Sequence, residues 1–169
     1  MIPIFFIGNI LGLISAVRKD SITDKIIRFF ASLFYSMPSF VIGIFLLLIF
    51  YGVLGIFEPQ RYSIDTDMLI LNGSFVKYTN FMIIDSVLNL NLTVFMDTLK
   101  HLFLPATAIF LGTSASFIKI TRTSTLEELN KDYVRTLKAK GLEEKYIINK
   151  HIKKNILIPQ LTIGGLQLI

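Results

Sequence analysis

The chain has 169 residues, a length that suits one domain, but 53% of them are hydrophobic and only 17% charged, which excludes an ordinary soluble composition. It contains no cysteine, which excludes disulfides and thiolate metal sites, and two histidines, His101 and His151, are too few for a histidine-built metal centre. The net charge of +5 is distributed unevenly along the chain.

Taken in order, the chain opens on an apolar run that ends at Arg18-Lys19-Asp20. It lacks the basic start of a signal peptide, so it reads as a membrane span over residues 2–17. Within it, Gly8 and Gly12 form a GxxxG pattern, the spacing that lets helix backbones approach closely in lipid. A second apolar run, residues 29–57, carries no charge. As a helix it would be roughly 43 Å long against a hydrocarbon core of roughly 30 Å. It must therefore tilt, kink at Pro38 or project, with Ser36 and Ser39 placed to satisfy the carbonyls a proline frees.

Residues 58–100 follow as a partly apolar segment between spans, in which 81–95 reads as one or two short elements. Asn72-Gly73-Ser74 and Asn91-Leu92-Thr93 match glycosylation acceptors, a pattern common by chance to which no function is assigned. A third span covers 102–118, about 26 Å as a helix. Ala108, Gly112 and Ser116 continue the small-residue spacing, either as packing positions or, with Thr107, Thr113 and Ser114, as the lining of a polar route. No span carries Asp, Glu or Arg, which argues against proton- or ion-coupled mechanisms. A charged segment, 119–154, precedes a fourth apolar run, 155–169, too short at about 15 residues for a full crossing of 20 or so.

Charge fixes the expected topology. The connection between the first two spans holds four basic and two acidic residues, the 58–100 segment three basic and five acidic, and the 119–154 segment ten basic and five acidic. Positive loops stay in the cytoplasm, so 119–154 is expected inside and 58–100 outside, in a multi-pass protein of the cell membrane. Met1 then starts on the outer side, which a preceding span would explain. Retention in the cytoplasm and contact with anionic membrane lipid account for the basic excess, so no nucleic-acid partner is expected.

Within the charged segment, Leu126, Leu129, Tyr133, Val134 and Leu137 make one apolar stripe, predicting an amphipathic helix that ends at Gly141, where a left-handed conformation is required. Lys138 and Lys140 suit its last turn. A second helix is predicted from Glu143-Glu144 through Tyr146, Ile147, His151 and Ile152. Periodicity alone leaves open whether this pair simply anchors to lipid.

The run Asp132-Tyr133-Val134-Arg135-Thr136-x-x-Ala139-Lys140-Gly141-Leu142, followed by His151-x-x-x-Asn155-x-x-Ile158-Pro159, resembles the cytoplasmic loop of binding-protein-dependent ABC importer permeases, specifically the dipeptide, oligopeptide and nickel branch. The family's general Glu-Ala-Ala-x-x-x-Gly signature is replaced here by Arg135-Thr136-Leu137 and Gly141. Leu13-x-x-Ala16, Asp24, Ser36-x-Pro38-Ser39-Phe40-x-x-Gly43, Leu104-Pro105-Ala106 and Arg122-Thr123-Ser124 fit the same branch in order.

The resemblance implies an all-α, polytopic transmembrane helix bundle of the MetI-like type I importer class, incomplete here because such permeases carry further spans before and after these residues. It implies pairing with a second permease, two cytoplasmic ATPase subunits and an extracytoplasmic substrate-binding protein, with peptides or a related small solute such as nickel as cargo. Carried over by position, Asp132, Tyr133, Arg135, Thr136, Ala139, Lys140, Gly141, Leu142 and Glu143 would form the ATPase-docking surface, with Tyr133 and Leu142 supplying apolar contact. Gly8, Gly12, Ala108 and Gly112 would serve helix packing. No residue would be catalytic and the chain would bind no cofactor, ATP and magnesium residing on the partner. The sequence itself has no GxxxxGK[ST] phosphate loop. The competing expectation is a truncated, non-transporting remnant or regulatory membrane protein that keeps only the docking helices.

Overall fold

Nine α-helices run through residues 2–166, the part of the chain that the computed structural model describes, and the fold is all-α. They are α1 (Ile2–Val17), α2 (Ile22–Ser36), α3 (Ser39–Leu47, continued by a π-helical turn Leu48–Val53), α4 (Ile64–Leu71), α5 (Met82–Leu88), α6 (Leu92–Leu129), α7 (Asp132–Ala139), α8 (Glu144–Ile147, continued by a π-helical turn Ile148–Ile152) and α9 (Lys153–Leu166). The last residues of the predicted fourth span, 167–169, lie outside the described part. The chain divides into two compact units, one from residues before Ser39 and after Ile109, the other Ser39–Ile109.

The predicted second span is two helices. Met37 sits at ψ 130°, extended, because the ring of Pro38 clashes with an α-helical conformation in the residue before it. The result is a break between α2 and α3 rather than a kink, and these two helices are long and apolar enough to cross a membrane only when taken together. The predicted third span is the middle of a much longer helix: α6 has 38 residues, about 57 Å at about 1.5 Å per residue, and includes Pro105. Among the described residues it is the single helix that by itself has the length and hydropathy of a span, and α1 is a shorter apolar helix.

In the first unit, α1 lies against α6 along its glycines. A Cβ added at Gly12 would come within 2.6 Å of the Thr121 Cβ and 2.8 Å of the Ile118 carbonyl, and one at Gly8 would collide with Phe117. The GxxxG face is thus a backbone-to-helix contact, sealed by an edge-to-face pair of Phe5 and Phe117 with ring centres 5.6 Å apart. Thr121 joins three helices: it accepts from Gln160 Nε2 of α9 at 2.9 Å and donates to Asn9 Oδ1 of α1 at 3.3 Å. Gly112 is half-buried on α6.

In the second unit, carboxylates and amides tie the short helices down. Asp97 Oδ2 accepts from the Ser63 amide (2.8 Å), the Ser63 hydroxyl (2.9 Å) and Thr66 (2.7 Å), fixing the N-terminus of α4 to α6. Asp85 Oδ1 accepts from the amide and hydroxyl of Thr79, both at 2.8 Å. Asn91, part of a glycosylation-like triplet, instead caps α6 by accepting from the Val94 amide at 3.1 Å. Buried Ala108 stands 3.8 Å from where a Gly43 Cβ would lie, so α3 and α6 meet at small residues. Thr107 hydrogen-bonds the Phe103 carbonyl of its own helix at 2.7 Å.

Candidate functional site

The segment from Glu128 to Asn155 is built on an apolar cluster. Val134 of α7, Ile147 of α8, Ile148 and Ile152 of the π-helical turn and Ile156 of α9 are buried together, with Leu13, Leu129, Tyr133, Leu137 and Leu142 packed against them. The predicted apolar stripe is therefore real but divided: Leu126 and Leu129 belong to α6, while Tyr133, Val134 and Leu137 belong to α7. The break falls where α6 tightens, the amides of Asn130 and Lys131 bonding the Glu127 and Glu128 carbonyls at 3.2 Å each, before Lys131 turns extended at ψ 151°.

Glu128 holds α7 at this break. Its buried carboxylate accepts from Tyr133 Oη at 2.6 Å and from Asn155 Nδ2 of α9 at 3.0 Å, and is paired with Lys131. Burial pushes the Glu128 carboxyl up, but the hydrogen bonds from Lys131, Tyr133 and Asn155 outweigh it and hold it below its ordinary value. Burial and the same carboxylate push the Tyr133 phenol up to about 12, so it remains a donor. Glu128 was not singled out in the sequence because a charged residue on an amphipathic helix reads as part of the solvated face; its one signal is the position of Asn155 within the resemblance motif.

At the other end, α7 closes in a Schellman motif. The Leu142 amide bonds the Leu137 carbonyl at 3.2 Å, the Gly141 amide bonds the Lys138 carbonyl at 3.0 Å, and Gly141 has φ +80°. Leu137 and Leu142, the pair such a motif brings together, both pack on the apolar cluster. Lys138 Nζ reaches Glu144 Oε1 across the turn at 3.6 Å. The Gly141 Cα faces open space, so the conformation, not crowding, requires glycine here.

Of the nine residues predicted to dock a partner, Asp132, Arg135, Thr136, Ala139, Lys140, Gly141 and Glu143 are exposed, and they are collected on α7 and the turn after it. Tyr133 and Leu142, expected to supply apolar contact to a partner, are half-buried against the chain's own cluster instead. The surface left free is polar and charged, held on a scaffold of buried isoleucines.

A second polar centre lies under the first helices. Asp24 is fully buried, and Arg122 of α6 holds it with a two-pronged contact, Nε to Oδ1 at 2.9 Å and Nη2 to Oδ2 at 3.0 Å. Ser15 of α1 donates to Oδ1 at 2.5 Å and the Asp20 amide to Oδ2 at 3.0 Å. The Arg122 hydrogen bond is the main reason that the Asp24 carboxyl lies far below the usual carboxylate range; burial opposes it and Ser15 adds to it. Both residues stand in the sequence motifs, but 98 positions apart, and only the fold pairs them.

Comparison with known proteins gives a concordant result. Residues 8–169 match the family described as binding-protein-dependent transport system inner membrane component. The chain is 38% identical over 162 residues to a di/tripeptide transport system permease protein of Pseudomonas aeruginosa, covering 95% of this chain and 46% of that protein. It is 40% identical over 161 residues to a dipeptide transport system permease protein of Haemophilus influenzae (94% and 46% covered) and 36% identical over 163 residues to one of Escherichia coli K12 (95% and 47%). The chain spans about half the length of these curated relatives.

Proposed function

Because the chain belongs to the binding-protein-dependent transport system inner membrane component family, we propose that it forms part of the transmembrane permease of an ATP-binding-cassette importer for peptides, with α7 and the Gly141 turn as its contact to a cytoplasmic ATPase. The observation that carries this reading is the exposed polar face of α7, fixed at one end by Glu128 and at the other by the Schellman turn. A docking element must transmit displacement without yielding, and both ends of α7 are anchored to the same buried cluster that α9 joins. Motion imposed on α7 would therefore pass to α9 and, through Glu128, to α6.

In this reading ATP and magnesium bind the partner, a second permease completes the pathway, and an extracytoplasmic binding protein delivers cargo. That these relatives are dipeptide or di/tripeptide permeases favours peptides over nickel. Anionic lipid would meet the basic residues that surround the docking face.

The sequence has no cysteine, which makes single-cysteine cross-linking clean. In the assembled importer, Arg135→Cys and Lys140→Cys are expected to cross-link to the ATPase subunit through a short thiol-to-amine reagent, while Glu58→Cys is not. Cross-linking of the Glu58 control alone, with none from α7, would refute the docking assignment.

A further inference from the structure

Helix α2 carries three different faces. Asp24 and Ala31 are buried, Asp24 against Arg122 of α6. Lys25, Arg28, Ser32 and Ser36 are all exposed and follow one another at spacings of three, four and four. At about 3.6 residues per turn they share an arc of about 80°. Ile22, Ile26 and Phe30, spaced four apart, are exposed on a separate arc. The polar arc is concave: Lys25, Arg28, Phe29, Ser32, Leu33 and Ser36 line an open groove of about 640 Å³, with Phe29 and Leu33 as its apolar edge.

The cations of this groove are available. Lys25 makes no ion pair among the described residues. Arg28 Nη1 comes no closer than 3.9 Å to Asp24 Oδ2, and that carboxylate already accepts from Arg122, Ser15 and the Asp20 amide. Ser36 donates to the Leu33 carbonyl at 2.9 Å, which leaves its oxygen free to accept. From Lys25 to Ser36 the helix rises about 16 Å, close to half of a hydrocarbon core of roughly 30 Å. Charges and hydroxyls gain nothing from hydrocarbon and cost free energy there. A helix with a polar arc of that depth beside an apolar one faces two media.

We propose that the Lys25–Ser36 face of α2 is a wall of the solute pathway in the inner half of the membrane. Ser32 and Ser36 offer hydrogen bonds to a passing peptide, and Arg28 and Lys25 receive its carboxylate at the cytoplasmic mouth. The basic end of α2 belongs to a connection expected in the cytoplasm, which sets the direction of the groove. Charge complementarity carries the choice of occupant. Every dipeptide ends in a carboxylate whatever its side chains, so two fixed cations serve the whole class, whereas a metal cation is repelled by them. Hydroxyls, which both donate and accept, suit a peptide amide without selecting side chains.

This inference rests on the peptide-importer reading, and its test separates the two. Single cysteines are placed at Ser32, Ser36, Ile26 and Phe30 of the full-length protein in an importer whose partner subunits lack cysteine. Inside-out membrane vesicles are then treated with a cationic, membrane-impermeant methanethiosulfonate. Ser32→Cys and Ser36→Cys are expected to be modified, and Ile26→Cys and Phe30→Cys to be spared. Serine positions as inert as Phe30→Cys would show that lipid or another helix covers the groove, and would overturn the pathway wall. Modification of all four would overturn it too, since α2 would then have no separate polar side. In proteoliposomes with ATP inside and loaded binding protein outside, uptake of alanylphenylalanine is measured against ATP hydrolysed. Lys25→Gln with Arg28→Gln is expected to lose most of the uptake per ATP, and Lys25→Arg with Arg28→Lys to keep it. Unchanged uptake in the glutamine pair would overturn the carboxylate role. Wild-type proteoliposomes that hydrolyse ATP but take up no dipeptide would overturn the peptide reading, while the thiol result would still decide whether the groove is a water-filled wall.

Discussion

Asp24 shows what a single residue can hold. Its carboxylate joins the end of α1 through Ser15, the connection through Asp20 and α6 through Arg122. Removing one member of a buried pair leaves the other charged and unpaired, at a cost of about 3–5 kcal/mol, whereas replacing both by neutral groups costs much less. Asp24→Asn is therefore expected to lower the unfolding midpoint of the purified protein sharply, and Asp24→Asn with Arg122→Met to recover much of it. Additive losses in that cycle would show that the two residues do not interact. The pH dependence has a definite sign. Since the folded carboxyl lies below its ordinary value of 3.8, the pair's contribution is fully present above that value and fades only as pH falls well beneath it. Asp24→Asn should flatten the acid limb of a stability profile; an unchanged limb would mean that another group governs it.

At the scale of elements, local rules settled some boundaries and contacts settled others. At Pro38 the sequence marks an interruption but reads as a kink where the structure has a break; the end of α7 at Gly141 follows from what glycine does to a backbone and is legible in the sequence. The end of α6 at Leu129 is not. The stripe from Leu126 to Leu137 continues at helical spacing through it, and the interruption depends on Glu128 finding Tyr133, Lys131 and Asn155 together. Gly141 gives the prediction proper to this scale. With open space around its Cα, a side chain there meets only the conformational cost of φ +80°, about 1–2 kcal/mol for most residues and more for a β-branched one. Gly141→Val is expected to reduce ATPase stimulation in the assembled importer while membrane insertion is unchanged. Gly141→Asn, which tolerates the left-handed region, should keep most of the stimulation. If both variants couple as the wild type does, the turn does not set the docking face.

At the scale of the whole molecule, the prediction concerns sidedness. Large apolar side chains stay exposed on many helices, among them Phe29 and Phe30 on α2 and Phe40 and Ile44 on α3, a surface suited to lipid or to further helices. From the charge distribution, residues 58–100 are expected outside and 119–154 inside. In intact cells making the full-length protein, a membrane-impermeant maleimide should label Glu58→Cys directly and Lys138→Cys only after permeabilisation. Equal labelling of both before permeabilisation would reverse or dissolve the topology.

Composition, charge asymmetry and motif order were enough to specify an all-α membrane protein, its family resemblance and the polar face of its charged segment, because hydrophobic spacing and backbone conformational limits act over a few residues. Tertiary structure alone decided which groups meet across long separations. It paired Asp24 with Arg122, set Gly12 against Thr121 and turned Tyr133 and Leu142 inward. A sequence lists donors, acceptors and small residues, but burial and distance determine which of them are satisfied, and those arise only when the chain closes on itself.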